Sequence, residues 1–247
     1  AIAAWWRRAL QLLGEDVPLR QVVARYFVGE VGKYLPGGVW TVVGRAELLR
    51  RHGIRRAAAY GSVALSLLAL YLSALLVVAA GLPVLLSGGD GTGPVAVLLA
   101  LPLGLVALHP RVLGPVLDVA GRLARRPLDL PIPTWRSSVG LVVGYLPAWV
   151  LVGGATWAVA RALDPSAPLA EVAVAAVLSW VVGFLLVPVP SGAGVREAAF
   201  VAAAGSLDPG IAAATAVATR VLFVLVDAVG AAIGAARLRS GRAGRAS

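Results

Sequence analysis

Seven ionisable residues stand beside backbone breaks or inside apolar runs of this chain. A charged side chain at membrane depth costs roughly 2.5–3.5 kcal/mol on insertion scales, so such residues are usually paired or face a cavity. Arginine and lysine bind phosphate, and carboxylates balance the cations or bind an amine. We therefore predict that these residues bind a substrate and do not catalyse a reaction. The set consists of Glu30, Lys33, Arg45, Arg196, Glu197, Arg220 and Asp227, together with Ser191.

The stretch VPVPSGAGVRE at 187–197 breaks an apolar run and is followed at once by two charges. Irregular backbone at membrane depth is tolerated only against protein or a water-filled cavity, so the break predicts such a cavity. Ser191 can cap the next helix, whose N-terminus would bind phosphate beside Arg196. Glu197 could pair with a cation, an amine or Arg196 itself. The alternative is a cytoplasmic loop with two solvated charges. The predicted break residues are Pro188, Pro190, Gly192 and Gly194.

Another break lies near the start of the chain, in YFVGEVGKYLPGGVWTVVGR at 26–45. In chain order we call 26–45 the first break region and 187–197 the second. Its break residues are Pro36, Gly37 and Gly38. Glu30 and Lys33 are three positions apart and so share one helix face. The alternative is an interfacial amphipathic helix. Paired interrupted segments in two halves of a chain point to a transporter's site at the bilayer midplane, and they suggest an internal repeat of inverted topology.

The late charges Arg220 and Asp227 are seven positions apart in the last apolar run, on one helix face. A functional role is the default interpretation for ionisable residues at this depth. A structural ion pair between helices is the alternative.

Composition places these residues in a membrane protein. Of 247 residues, 59% are hydrophobic and only 14% charged, whereas a soluble domain carries about a quarter charged residues. We predict an all-α, polytopic helix bundle with two broken or re-entrant segments. The chain has no Cys and two separated His, so we expect no metal site and no cofactor. The net charge is +10, but the basic residues flank the apolar runs and do not form a nucleic-acid-binding motif. We therefore expect no nucleic-acid partner.

Five apolar runs predict membrane spans, each near the roughly 20 residues that a crossing helix needs. They lie at about 58–80, 94–108, 139–160, 169–187 and 209–236. The third is expected to kink at Pro147, and in the last run Gly230 and Gly234 form a small-xxx-small face suited to close helix contact. A single transmembrane domain over 1–247 would then have halves at about 19–110 and 137–236, joined by a cytoplasmic linker at about 109–136.

Arginine-rich segments before, between and after these runs predict the orientation, because basic loops face the cytoplasm. The basic loops and the C-terminal tail should therefore be cytoplasmic, and a bacterial inner membrane is expected. An odd number of crossings would put the four-Arg tail outside, so residues 190–206 are expected to enter the membrane too. The chain begins with Ala1 and contains no Met, which predicts a membrane helix upstream; a removed signal peptide is the alternative.

The motifs GKYLPGGVWTVVGR and PVPSGAGVREAAF, with an Arg in the final apolar run, resemble the lysylphosphatidylglycerol synthase transmembrane family, also described as flippase-like domains. The resemblance covers about 19–236 and implies a polytopic bundle that moves lipids or lipid-linked groups between leaflets. Motif positions carried over are Lys33, Pro36, Gly37, Gly38, Arg45, Pro190, Gly192, Gly194, Arg196, Glu197 and Arg220. The span after the first motif lacks the acidic residue of many relatives, and the aminoacyl-transferase domain of the synthases is not part of this sequence.

The sequence thus predicts a non-enzymatic lipid flippase whose substrate carries a phosphate, with its tails left in the bilayer. Two alternatives stay open. One is a membrane-embedded transferase acting on a lipid phosphate, with Glu30, Glu197 and Asp227 as its only acid–base candidates. The other is a scaffold that docks a partner enzyme. The identity of the lipid and the oligomeric state are not predicted.

Overall fold

The architecture is known from a computed structural model, which describes residues 1–35, 39–87, 100–123, 130–185 and 192–243. These residues form α-helices and one short 3-10 helix, and they contain no strand. The predicted all-α class is therefore confirmed. Break residues Pro36, Gly37, Gly38, Pro188 and Pro190, together with Ser191, lie outside the described residues.

Ten α-helices follow one another in the described parts of the chain. In the first half they are α1 (Ile2–Leu12), α2 (Leu19–Glu30), the 3-10 helix Val31–Tyr34, α3 (Trp40–Arg50), α4 (Arg56–Ser87), α5 (Ala100–Ala107) and α6 (Pro110–Leu123). In the second half they are α7 (Trp135–Leu163), α8 (Leu169–Leu185), α9 (Val195–Ala203) and α10 (Pro209–Ala243).

Three of these helices, over Arg56–Leu85, Trp135–Leu163 and Pro209–Ser240, are long and apolar enough to cross a membrane. They match the first, third and fifth predicted spans. The fourth predicted span forms α8, a shorter apolar helix of 17 residues. Of the second, only Ala100–Ala107 is described as a helix. Helix α7 runs through Pro147 without ending.

Local signals explain where the helices begin. Pro209 occupies the first position of α10, where its missing N–H costs nothing. The Asp208 carboxylate before it accepts hydrogen bonds from the N–H groups of Gly210 (2.8 Å) and Ile211 (3.3 Å). Thr134 caps the N-terminus of helix α7, and its hydroxyl accepts a hydrogen bond from the N–H of Ser137 at 3.3 Å. Each cap satisfies backbone donors that have no partner inside the helix.

Helices α4, α7 and α8 contact one another and form the centre of the bundle. Several of their buried polar groups are paired within the bundle, as an interior without water favours, whereas the buried Ser138 hydroxyl has no partner among the described residues. The indole N–H of Trp149 donates to the Leu70 carbonyl (2.9 Å) and the Ser73 hydroxyl (2.8 Å), and the Tyr145 hydroxyl bonds that of Ser66 at 2.5 Å. Helix α10 contacts α2 from the first half and α7 and α9 from the second, so it joins the two predicted break regions.

Candidate functional site

The end of α2 brings Glu30 against Arg45 of α3. The two helices approach closely at Gly29, where an added Cβ would overlap the side chain of Arg45. The Arg45 guanidinium donates a hydrogen bond to the Glu30 carboxylate, and the two side chains are only 3% and 9% exposed. This contact is a buried, charge-assisted ion pair.

Lys33 links that pair to the last helix. Its ammonium lies 3.2 Å from Glu30 Oε2 and 2.6 Å from Asp227 Oδ2. The Tyr34 hydroxyl donates to the same Asp227 oxygen at 2.7 Å. Two cations and two carboxylates thus form one neutral network, which we call the α2–α10 network: Glu30, Lys33, Arg45 and Asp227. It fastens the first break region to α10.

Aromatic rings surround the cations of this network. The Arg45 guanidinium lies 4.3 Å from the ring centroid of Tyr26 and 5.6 Å from that of Trp6. Lys33 Nζ lies 5.4 Å from the Tyr34 centroid and 5.8 Å from that of Trp180. Because ring faces attract cations, these contacts stabilise charge in the absence of bulk water.

The second break region ends in a sharp turn that starts α9. Gly194 has φ +80°, a conformation that favours glycine, and its added Cβ would meet nothing within 4 Å. The positive φ angle of the backbone therefore favours glycine at this position, and lack of room for a side chain does not. The Glu197 carboxylate accepts from the Gly194 N–H at 2.7 Å and from the Arg220 guanidinium at 2.5 Å. The turn is thereby tied to α10.

Arg196 does not join this ion pair, and its guanidinium lies over the face of an aromatic ring. Its guanidinium carbon is 3.5 Å from the ring centroid of Trp180, in α8. Trp180 is itself held edge-on by Trp149 (6.2 Å) and Phe223 (5.9 Å). In the described part of the chain Arg196 makes no ion pair, and its buried Nε has no hydrogen-bond partner. It is the unneutralised cation of the site.

A cavity of about 30 Å3 opens beside this arginine, lined among others by Trp180, Arg196, Glu197, Thr219 and Arg220. The buried Thr219 hydroxyl, like Arg196 Nε, has no partner among the described residues. A space of that size holds a water molecule or two but no lipid headgroup. The conformation is therefore closed around polar groups that have hydrogen-bonding capacity left.

The structure brings the seven charged residues of the predicted set together in two groups, while Ser191 lies outside the described residues. Arg45 is 2% exposed, and Arg196 and Glu197 are half-buried, so none of these three lies out in bulk solvent. Lys33 from the first break region and Arg196 from the second both approach the ring of Trp180. The two late charges do not pair with each other: Arg220 bonds Glu197, and Asp227 bonds Lys33. Among the possible partners of Glu197, the structure selects Arg220 rather than Arg196.

Gly194 occupies the N-cap position of α9, which the sequence had suggested for Ser191. The residues that sequence reasoning missed are aromatic or small and polar. Trp180 and Thr219 stand in apolar runs and look there like ordinary membrane residues. A signal for Trp180 was available, because an unpaired arginine in an apolar environment needs an aromatic face.

The depth of the network follows from α10. Arg237 lies ten positions after Asp227, and the residues between them are all apolar or glycine. At 1.5 Å per residue this is about 15 Å, or half of a hydrocarbon core of about 30 Å. A helix that placed Arg237 at the interface would therefore hold the α2–α10 network near the middle of the membrane.

A comparison with protein families shows which family this membrane bundle belongs to. The family described as Lysylphosphatidylglycerol synthase TM region matches residues 1–234. The chain belongs to this family. No curated protein and no solved structure gave a match. The lysylphosphatidylglycerol synthase TM family is a membrane family linked to lipid modification or transport, so the chain is an integral membrane protein with a membrane-lipid association.

Proposed function

We propose that this chain is a lipid flippase, which moves a phosphate-bearing lipid or lipid-linked group between leaflets without enzymatic turnover. The observation that carries the proposal is Arg196, which makes no ion pair among the described residues and lies over the ring of Trp180 beside a polar cavity, in a family linked to membrane lipid. The other six charged residues of the site neutralise one another in contacts of 3.2 Å or less. One negative charge is therefore what the site lacks.

A lipid phosphodiester supplies that charge. Its oxygens can accept bidentate hydrogen bonds from the Arg196 guanidinium, whose buried Nε has no other partner among the described residues. The hydroxyl of Thr219 and the N-terminus of α9 are further donors at the same cavity. Lys33 and Arg45 are paired with carboxylates in this closed conformation. Arg45 Nε and Nη1 have no partner among the described residues, but Arg45 is only 2% exposed, so both cations would meet a phosphate only after rearrangement.

Transport requires the closed cavity to open alternately to either leaflet. The two break regions are joined to α10 by separate contacts, Lys33–Asp227 and Glu197–Arg220. Rocking of one region against α10 can break one contact while the other holds. We propose that this exchange of ion pairs opens the site, with the lipid tails remaining in the bilayer throughout.

The test is leaflet exchange of a fluorescent phosphatidylglycerol in vesicles that contain the purified protein. Arg196→Gln should abolish exchange while folded yield stays intact, and Glu197→Ala should do the same. Arg161→Gln is the matched control, because Arg161 also lies on a tryptophan ring, at 6.0 Å from Trp157, but is exposed. Equal exchange by wild type and Arg196→Gln would refute the assigned role. Turnover of the lipid to a new product would favour the transferase instead.

A further inference from the structure

Helices α2 and α10 enclose a groove that the transport site does not use. Its volume is about 530 Å3, within the range of about 300–1,000 Å3 typical of ligand pockets. Phe27 forms one wall, and Val229 and Ile233 form the other. These two residues are 58% and 50% exposed. The groove is thus apolar and open to the surroundings of the bundle.

Glycines set the floor of the groove. An added Cβ at Gly230 would overlap the ring of Phe27, and one at Gly234 would lie 2.7 Å from the Ala24 carbonyl oxygen. The two helices therefore run antiparallel in close contact, with Gly234 near the start of α2 and Gly230 farther along it. One turn beyond Gly230 stands Asp227, at the α2–α10 network.

The opposite end of the groove is basic. Arg237 is an exposed residue of the lining. By the antiparallel register, the exposed Arg20 at the start of α2 lies at the same end. An occupant must therefore present an apolar body along Val229 and Ile233 and a negative charge at Arg237. A phospholipid meets both requirements, whereas a helix of a second copy would need to pair its own acidic groups with this end.

We infer that the groove binds one acyl chain of an anionic phospholipid, with the lipid phosphate at Arg237, and that it is the lateral entrance to the transport site. The entrance role rests on the proposed function, but the binding does not. The groove leads from the basic end to within one turn of Asp227, so a lipid that slides along it brings its headgroup towards the α2–α10 network.

Photolabelling tests the binding directly. The probe is a phosphatidylglycerol with a diazirine in one acyl chain, in phosphatidylcholine vesicles that contain the protein, and labelled residues are found by peptide mass spectrometry. Val229 and Ile233 should be labelled severalfold more than Val150 and Leu151, which are exposed apolar residues of α7. Joint replacement of Arg20 and Arg237 by Gln should remove that excess. Equal labelling at the two helices, or an excess that survives the arginine replacements, would overturn the inference.

Exchange assays test the entrance separately. Val229→Trp should fill the groove and slow exchange, whereas Val150→Trp on the lipid-facing side of α7 should leave it unchanged. Full exchange with Val229→Trp would refute the entrance. If Arg196→Gln loses exchange but keeps the groove labelling, both proposals stand as separate steps. The chain contains no Cys, so Val229→Cys introduces a single thiol that can form a disulfide only with a second copy. Efficient disulfide dimers in membranes would show that a second copy, and not a lipid, occupies the groove.

Discussion

The Arg196 guanidinium lies on the ring of Trp180, with 3.5 Å between its central carbon and the ring centroid. One turn along α8 from Trp180, Gly183 leaves room for the aliphatic part of the arginine, because an added Cβ there would overlap Arg196 Cγ. The stacked arginine therefore depends on two positions of one helix, an aromatic face and a missing side chain. No ion pair shares this task in the described part of the structure.

Gly183→Ala should displace Arg196 from Trp180 and strongly reduce phosphatidylglycerol exchange, while the protein stays folded. The reason is steric, since the new methyl group takes the space of the arginine side chain. Exchange in vesicles and the size-exclusion profile in detergent measure the two effects. Gly154→Ala in α7 is the matched control, because a Cβ there meets nothing within 4 Å. Normal exchange with Gly183→Ala would show that this stacking is dispensable.

Arg196→Lys should also lose most exchange, although it keeps the positive charge. An ammonium lacks the planar, bidentate fork that both stacks on an indole and grips a phosphate. Lysine can still lie over the ring, so what is lost is the bidentate grip: one hydrogen bond to a charged group is worth about 1.5–3 kcal/mol, or roughly tenfold or more in binding. When the exchange rate is measured against lipid concentration, the half-saturating lipid concentration should be higher for Arg196→Lys than for wild type. Trp180→Leu should act similarly, and Trp135→Leu, at an exposed tryptophan, should not.

Much of this arrangement could be predicted from the sequence, for identifiable reasons. Spans such as Trp135–Leu163 are visible because length and apolarity alone define a crossing helix. Charges such as Arg196 and Asp227 are conspicuous because they are expensive in an apolar run. The ion-pair partner of each charge could not be predicted, because the paired residues are far apart in sequence. Glu197 and Arg220 are 23 positions apart, and Lys33 and Asp227 are 194 positions apart. Tertiary packing alone decides those pairs.

Removal of one member of the buried Glu30–Arg45 pair should destabilise the protein more than removal of both. Glu30→Gln leaves Arg45 as an uncompensated buried charge, at a cost of about 3–5 kcal/mol. Arg45→Met leaves Glu30 and Asp227 to share Lys33, so it should also destabilise the protein. The double variant leaves Lys33 with Asp227 alone and should cost less than either single variant. Thermal unfolding in detergent measures all three.

The control for that cycle lies on the same helix. Glu47 and Arg50 form an ion pair at 2.8 Å with side chains 32% and 42% exposed. Glu47→Gln and Arg50→Met should each lower the unfolding temperature much less than the buried replacements, because an exposed ion pair contributes little to stability. Equal losses at the exposed and the buried pair would contradict the burial argument.

Acidification should weaken the turn between α7 and α8 through Asp164, which lies outside the spanning segments. Its carboxylate accepts hydrogen bonds from the hydroxyl (2.6 Å) and the backbone N–H (2.8 Å) of Ser166. These bonds lower the pKa of Asp164 below its usual value of 3.8. A folded-state pKa below the unfolded one gives stability that is present above the unfolded pKa and is lost as the pH falls through the folded one.

Wild type should therefore be more stable to heat than Asp164→Asn at neutral pH, and this difference should shrink once the pH falls below about 4. Asparagine keeps an acceptor oxygen at the turn but carries no charge, so the comparison isolates ionisation. Asp118→Asn, at an exposed aspartate of α6, controls for general loss of negative charge. A difference between wild type and Asp164→Asn that persists unchanged in acid would rule out the ionised carboxylate as its source.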